Sequence, residues 1–212
     1  MNKKRFCQAC HNEKFGIKTR LRFDHTCGKG EINYSASAEI PKKSIENLYT
    51  PDCIRTFTGK YVNVFDPDPE TICIEYIAHS LSFQCRFLAQ LPVFFTIAQH
   101  SVNCSAGLPN EYKLQALMHD ASEAYLLDFP PQIKNRLPEY KRIEVNLMHV
   151  IAQKFGFEYP LHPLVKANDR RLLEWEWVHF MLGESCFPSY YITTVEESEK
   201  LFMSTYNSLT NQ

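Results

Sequence analysis

The sequence predicts an all-α helical bundle preceded by a small irregular N-terminal extension. From about residue 71 onward, apolar residues recur at helical spacing in one segment after another. Proline and glycine punctuate the ends of those segments. Residues 1–50 differ: they are rich in Lys and Asn, carry Cys7, Cys10 and Cys27, and show little periodicity. The reading therefore divides the chain into an N-terminal Cys-containing extension, 1–50, and a helical domain, 51–212.

The elements follow in order. Pro51, Gly59, Asp66, Pro67, Asp68 and Pro69 are turn chemistry, with a short strand pair expected around TFTGKYVNVF. ICIEYIAHSLSFQCRFLAQL places Ile74, Ile77, Ala78, Leu81, Cys85 and Leu88 on one face of a first helix. PVFFTIAQHSVNCSAGL predicts a second, opened by Pro92 and closed by Gly107. EYKLQALMHDASEAYLLD predicts a third, with Leu114, Leu117, Met118, Ala121 and Tyr125 inward and Pro130 and Pro131 as its stop. YKRIEVNLMHVIAQKFG is a fourth, burying Ile143, Leu147, Val150, Ile151 and Phe155 and ending at Gly156. LVKANDRRLLEWEWVHFMLG is a fifth and VEESEKLFMSTYNSL the last.

With 212 residues, 44% of them hydrophobic, the chain can stabilise a core without disulfides. A net charge of -1 argues against a generic basic surface for nucleic acid, while leaving room for a local basic pocket that takes a small phosphate ligand. The N-terminus lacks the apolar stretch of a secretory signal, and no run reaches the roughly 18 apolar residues that suggest a membrane span. The expected location is cytoplasmic, where the eight cysteines are free thiols or metal ligands. Cys73, Cys85 and Cys104 fall in apolar helical patterns and are expected to be buried, inert thiols.

The adjacent pair His119-Asp120 interrupts an otherwise apolar helical pattern. Two polar side chains on a buried element cost several kcal/mol unless partnered. A divalent cation satisfies both, through a ring nitrogen and a carboxylate. His100, between apolar Ile97 and Val102 of the preceding helix, and Asp169, read as the start of the fifth helix, complete a set that several helices could bring to one ion. Taken singly, His100 reads equally as a hydrogen-bonded core histidine and Asp169 as a helix cap. Glu123 follows His119 by four residues and Asp120 by three, on the same predicted helix face, where a carboxylate can orient or deprotonate an attacking water. Its alternative is a solvated surface glutamate. Asp128 either binds a sugar hydroxyl or ends the helix.

The ordered set His100, His119-Asp120 and Asp169 resembles the HD phosphohydrolase superfamily. The runs IRTFTGKYVNVFDPDPETICIEYIAHSLSFQCRF, FFTIAQHSV, ALMHDASEAYLLDFPPQIKNRLPEYKRIE and VKANDRRLLEWE are similar to bacterial and phage HD 5′-deoxynucleotidases and to phage dATP triphosphohydrolases. The resemblance covers about residues 53–176. It implies an HD-domain bundle with a divalent metal (Zn, Co, Mn, Mg or Fe) on His100, His119, Asp120 and Asp169. It further implies that Glu123, with Asp120, serves catalysis, that Arg86 meets the phosphate, and that Phe87 packs near the sugar or base. Asp128 would contact the deoxyribose and Lys134 a triphosphate. Read without the resemblance, Arg86 is an ordinary surface arginine, and Lys134 and Arg136 are solvated loop residues. The resemblance also implies self-association. The chain departs from it at Leu88-Ala89-Gln90-Leu91-Pro92, where relatives have a Gly-rich, His-containing turn bordering the substrate pocket.

The expected activity is therefore hydrolysis of a nucleotide 5′ phosphoester: dNMP to nucleoside plus phosphate, or dNTP to nucleoside plus triphosphate. The alternative is a non-catalytic nucleotide-sensing module. Hydrolysis of ppGpp is disfavoured, because Glu123 is followed by Ala124 rather than a second acid. In the extension, Cys7, Cys10, His25 and Cys27 could hold a zinc ion or could be free groups on a loose arm. Cys7-Gln-Ala-Cys10-His11 also matches a haem-attachment pattern, which the missing export signal disfavours.

Overall fold

The computed structural model describes residues 52–183 and 194–211, all within one compact unit, Tyr49–Gln212. The expectations for residues 1–50 lie outside the described residues.

A hairpin opens the described chain: β1 (Cys53–Arg55) pairs antiparallel with β2 (Tyr61–Asn63), Ile54 opposite Val62. Its turn uses Gly59 at φ 85, a left-handed conformation that glycine adopts without a Cβ penalty. Asp68 caps a short 3-10 turn, Pro69–Thr71, and the helices follow. They are α1 (Ile74–Phe83), α2 (Ile97–Ala106), α3 (Asn110–Leu117), α4 (Glu123–Leu126), α5 (Pro131–Lys134), α6 (Pro138–Phe155), α7 (Pro163–Glu176) and α8 (Val195–Thr210). The described chain is thus mostly helical, as the periodicity predicts, and none of its helices is long and apolar enough to cross a membrane.

Helix α2 is the centre of the packing. Ile97, Ala98, Gln99, His100, Ser101, Cys104 and Ser105 are all buried, so the helix is enclosed on nearly every side. It packs against α1, α3, α7 and α8. Thr96 caps it by accepting from the backbone N–H of Gln99. Asn168 of α7 donates to the Cys104 carbonyl at 2.8 Å, locking α7 onto α2. Gly107 ends α2 where a Cβ would lie 3.0 Å from the Asn168 side chain, so a larger residue would require Asn168 to give by a few tenths of an ångström. Gly156 ends α6 at φ 73. Helix α8 begins with a capping box between Thr194 and Glu197 and buries Phe202 in the main core. Phe202→Ala is expected to lower stability by about 3–5 kcal/mol. Its thermal midpoint should drop by on the order of 10 °C, measured by circular dichroism.

Several expectations need correction. The first helix does not run through Leu91: it stops at Phe83, because Cys85 turns extended and pairs with Thr96. Arg86 N–H donates to Phe95 O and Ile97 N–H to Gln84 O, pinning both ends of the intervening loop. Within that loop Phe87, Leu88 and Ala89 have φ of 55, 54 and 58, a left-handed turn built without glycine. The second helix starts at Ile97 rather than Pro92. The third predicted helix is two: after α3 the chain tightens into i+3 hydrogen bonds from Ala121 to Met118 and from Glu123 to Asp120. Asp169 does not begin its helix, since α7 starts at Pro163. Of the three cysteines expected inside, Cys104 is buried, whereas Cys73 and Cys85 are only half-buried.

Candidate metal centre

The rotation of α2 that buries Ile97, Ser101 and Cys104 also turns His100 inward, where it is fully buried. His119 and Asp120 sit in the tight turn between α3 and α4, and Asp169 is on the second turn of α7. Among the described residues, ligand atoms of His100, His119 and Asp169 all lie within 4.8 Å of one another. His100 Nε2 is 3.3 Å from His119 Nε2 and 3.0 Å from Asp169 Oδ1. Asp120 Oδ2 borders this group, 3.2 Å from His119 Nε2 and 4.0 Å from His100 Nε2. Asp169, seven residues into its helix, is no cap.

The outer ring nitrogens decide what the inner ones can do. His119 Nδ1 is 2.7 Å from the Ala116 carbonyl, and His100 Nδ1 is 2.6 Å from Glu176 Oε1. Both partners only accept, so each Nδ1 carries the proton. Nε2 is then the atom of each ring that faces Asp169, and the one a cation could take once it carries no proton. Two imidazole nitrogens converging with carboxylates is a donor set that fits a borderline divalent cation.

The electrostatics agree with this fit. Burial pushes the His119 pKa down, but Asp120 and Asp169 outweigh it and hold the ring well above the ordinary histidine range. Burial raises Asp120, yet His119, His100 and Arg86 bring it down to about 2. Asp169 is likewise lowered, its burial overcome by hydrogen bonds to both histidines. The group thus gathers negative charge around a proton that a cation could displace.

Around this group stand the other residues singled out from the sequence. Arg86 is buried beside it, with Nη2 donating to Glu176 Oε2 at 3.1 Å and Nη1 3.8 Å from Asp120 Oδ2. It is therefore no ordinary surface arginine. Phe87 packs its ring against Trp177 at 5.9 Å, with the Arg86 guanidinium 5.5 Å away. Glu123 is buried at the first residue of α4, not on the helix of His119. Its backbone stays put because Gln84 donates to the Glu123 carbonyl, and Tyr76 and Ser80 both donate to that of Ala124. Burial, Asp120 and Asp128 raise the Glu123 carboxyl well above its usual range, against the opposing pull of Lys134 and Arg86. Glu123 Oε2 and Arg86 Nε are buried with no hydrogen-bond partner among the described residues. Asp128 is half-buried and near enough to feel Arg86 and Asp120; burial is the main cause of its raised pKa. Lys134 is tied to Glu144 at 2.7 Å and Glu123 at 3.4 Å, so it is not merely solvated.

A cavity of about 190 Å³ adjoins the group, with His119, Asp120, Glu123, Lys134, Tyr159 and Lys166 in its wall. Glu176 and Lys166 were not singled out from the sequence. Glu176 lies seven residues after Asp169, hence on the same helical stripe, and that spacing is the signal that could have found it. Lys166, three residues before Asp169, had a similar signal. Cys7, Cys10, His25 and Cys27 lie outside the described residues.

No known family model matches the chain. It is 42% identical over 134 residues to the uncharacterized protein YfdR of Escherichia coli K12, covering 63% of this chain and 75% of that protein. It is 29% identical over 129 residues to an uncharacterized protein of Rhodobacter capsulatus, covering 54% of this chain and 66% of that protein. The chain belongs to the family of Escherichia coli YfdR.

Proposed function

We propose that this chain is an HD-type, metal-dependent phosphohydrolase that cleaves the 5′ phosphoester of deoxynucleotides. One observation carries the reading: His100 and His119 aim their Nε2 atoms at the Asp169 carboxylate while both Nδ1 atoms are engaged elsewhere. A divalent ion on His100, His119, Asp120 and Asp169 would supply Lewis acidity towards the phosphoryl oxygens and acidify the attacking water.

The remaining work falls to the chain's own side chains. Glu123, buried with one oxygen unpartnered among the described residues, takes a proton from the attacking water. Arg86, held by Glu176, keeps its Nε–H for a phosphate oxygen. Water attacks phosphorus, the bond to O5′ breaks, and the proton collected by Glu123 passes, directly or through solvent, to the leaving O5′ of the nucleoside. Phe87, on its left-handed turn, offers a ring to the sugar or base, and Asp128 accepts from a deoxyribose hydroxyl. A cytoplasmic setting and self-association belong to the same reading.

Lys134 and Lys166 in the cavity wall favour the triphosphate form of the substrate over the monophosphate. If so, Lys166→Ala raises KM for a dNTP by about tenfold, one charged hydrogen bond's worth, with little effect on a dNMP. The experiment is a panel of dNMPs and dNTPs with Co²⁺, Mn²⁺ or Mg²⁺, products separated by chromatography. Release of phosphate or triphosphate with the free nucleoside is the expected result. Tight nucleotide binding with no release under any ion would turn the reading into a sensor.

A further inference from the structure

We infer that Glu176 is a positioning residue that couples the metal centre to the phosphate-gripping arginine, one carboxylate oxygen holding His100 and the other holding Arg86. The inference rests on the metal-centre reading above. Helix α7 carries Asp169 and Glu176 seven residues apart, close to two full turns, so both face α2. The His100 ring lies between them: Asp169 Oδ1 is 3.0 Å from Nε2, and Glu176 Oε1 is 2.6 Å from Nδ1. One helix therefore holds both nitrogens of one imidazole.

Glu176 is 1% exposed. A buried carboxylate needs donors, and this one draws them from two separate elements. Since it only accepts, it places the His100 proton on Nδ1 and leaves Nε2 for the ion. Its second oxygen, 3.1 Å from Arg86 Nη2, sets the plane of the guanidinium. That contact is independent of the loop backbone, where Arg86 N–H is already bonded to Phe95. Glutamine at 176 has the same shape but one acceptor oxygen, its other terminus being a donor. It can keep His100 or Arg86, not both. Loss of this carboxylate should therefore weaken ion binding and phosphate binding together, whereas loss of Arg86 alone should cost phosphate affinity far more than ion affinity, since His100 keeps its Glu176 partner.

The test titrates Co²⁺ calorimetrically into the full chain, then inorganic phosphate at saturating Co²⁺, for wild type, Glu176→Gln, Arg86→Ala and His100→Ala. The expected result is a 10- to 100-fold loss of Co²⁺ affinity in Glu176→Gln, the range for a group that orients a metal ligand. Phosphate affinity falls in Glu176→Gln as well, and Arg86→Ala loses phosphate affinity with a smaller change in Co²⁺ affinity than Glu176→Gln shows. If Glu176→Gln binds Co²⁺ as wild type does while His100→Ala does not, the role of Glu176 is overturned and the metal centre stands. If wild type itself takes up no Co²⁺, both fall. Should Glu176→Gln not fold, histidine ¹⁵N spectra of the Zn²⁺-loaded wild type decide, with His100 identified by its absence from His100→Ala. A proton on Nδ1 supports the inference, and one on Nε2 overturns it.

Discussion

Glu123→Gln is expected to slow nucleotide hydrolysis by about 10²–10⁴-fold, the span of a lost general base. Co²⁺ affinity should stay unchanged, because Glu123 is not among the converging ligand atoms. The substitution keeps shape and burial and removes only the ability to take a proton. Steady-state kinetics with calorimetric Co²⁺ titration separates the two effects, and full activity in the variant would remove Glu123 from catalysis. The pH profile adds a signed check. Burial, Asp120 and Asp128 raise the Glu123 pKa, while Lys134 opposes them. On the proposed reading the base works ionised, so activity should rise with pH as Glu123 loses its proton. Lys134→Met removes a cation that favours the ionised form, and the acid limb should move to higher pH. A limb that stays put or moves down would show that Lys134 acts on the substrate alone.

Asp169→Ala should cost the most. Asp169 meets both histidines at Nε2, so on the proposed reading its loss would remove a ligand rather than a supporting group. Co²⁺ affinity is expected to fall by more than the roughly 100-fold upper range for supporting groups. Hydrolysis should fall to background, as it should for wild type in EDTA, where Co²⁺ or Mn²⁺ restores it. Thermal melts give a readout without substrate. An ion at 100 times its Kd stabilises the folded chain by about 2.7 kcal/mol, so wild type should shift upward with Co²⁺ and Asp169→Ala should not. The shift should shrink as pH falls, because His119, held above the ordinary histidine range by Asp120 and Asp169, must shed its proton to bind. Equal Co²⁺ shifts in both proteins would place the ion elsewhere.

How much of this was legible beforehand differs from residue to residue. His100, His119, Asp120 and Asp169 were visible as metal-competent residues set in apolar helical patterns. The left-handed turn at Phe87, Leu88 and Ala89 was not. None of the three is glycine or asparagine, and local preference opposes that backbone. It persists because the loop is pinned at both ends by pairing between 84–86 and 95–97. The break after Leu117 was hidden for a related reason. Apolar residues at Leu117, Met118, Ala121 and Tyr125 suit a continuous helix, and only their packing shows that i+3 bonds replace i+4 bonds there.

By itself the sequence determined the helical class and the identity of the candidate ligands. Both are written in local spacing, which 3.6-residue periodicity exposes. Tertiary structure decided what those residues meet. Glu176 read locally only shares a helical stripe with Asp169; it becomes a two-sided anchor because folding brings it to His100, 76 residues away, and to Arg86, 90 residues away. No local pattern encodes a partner at that distance, and burial away from water is what makes such a contact count.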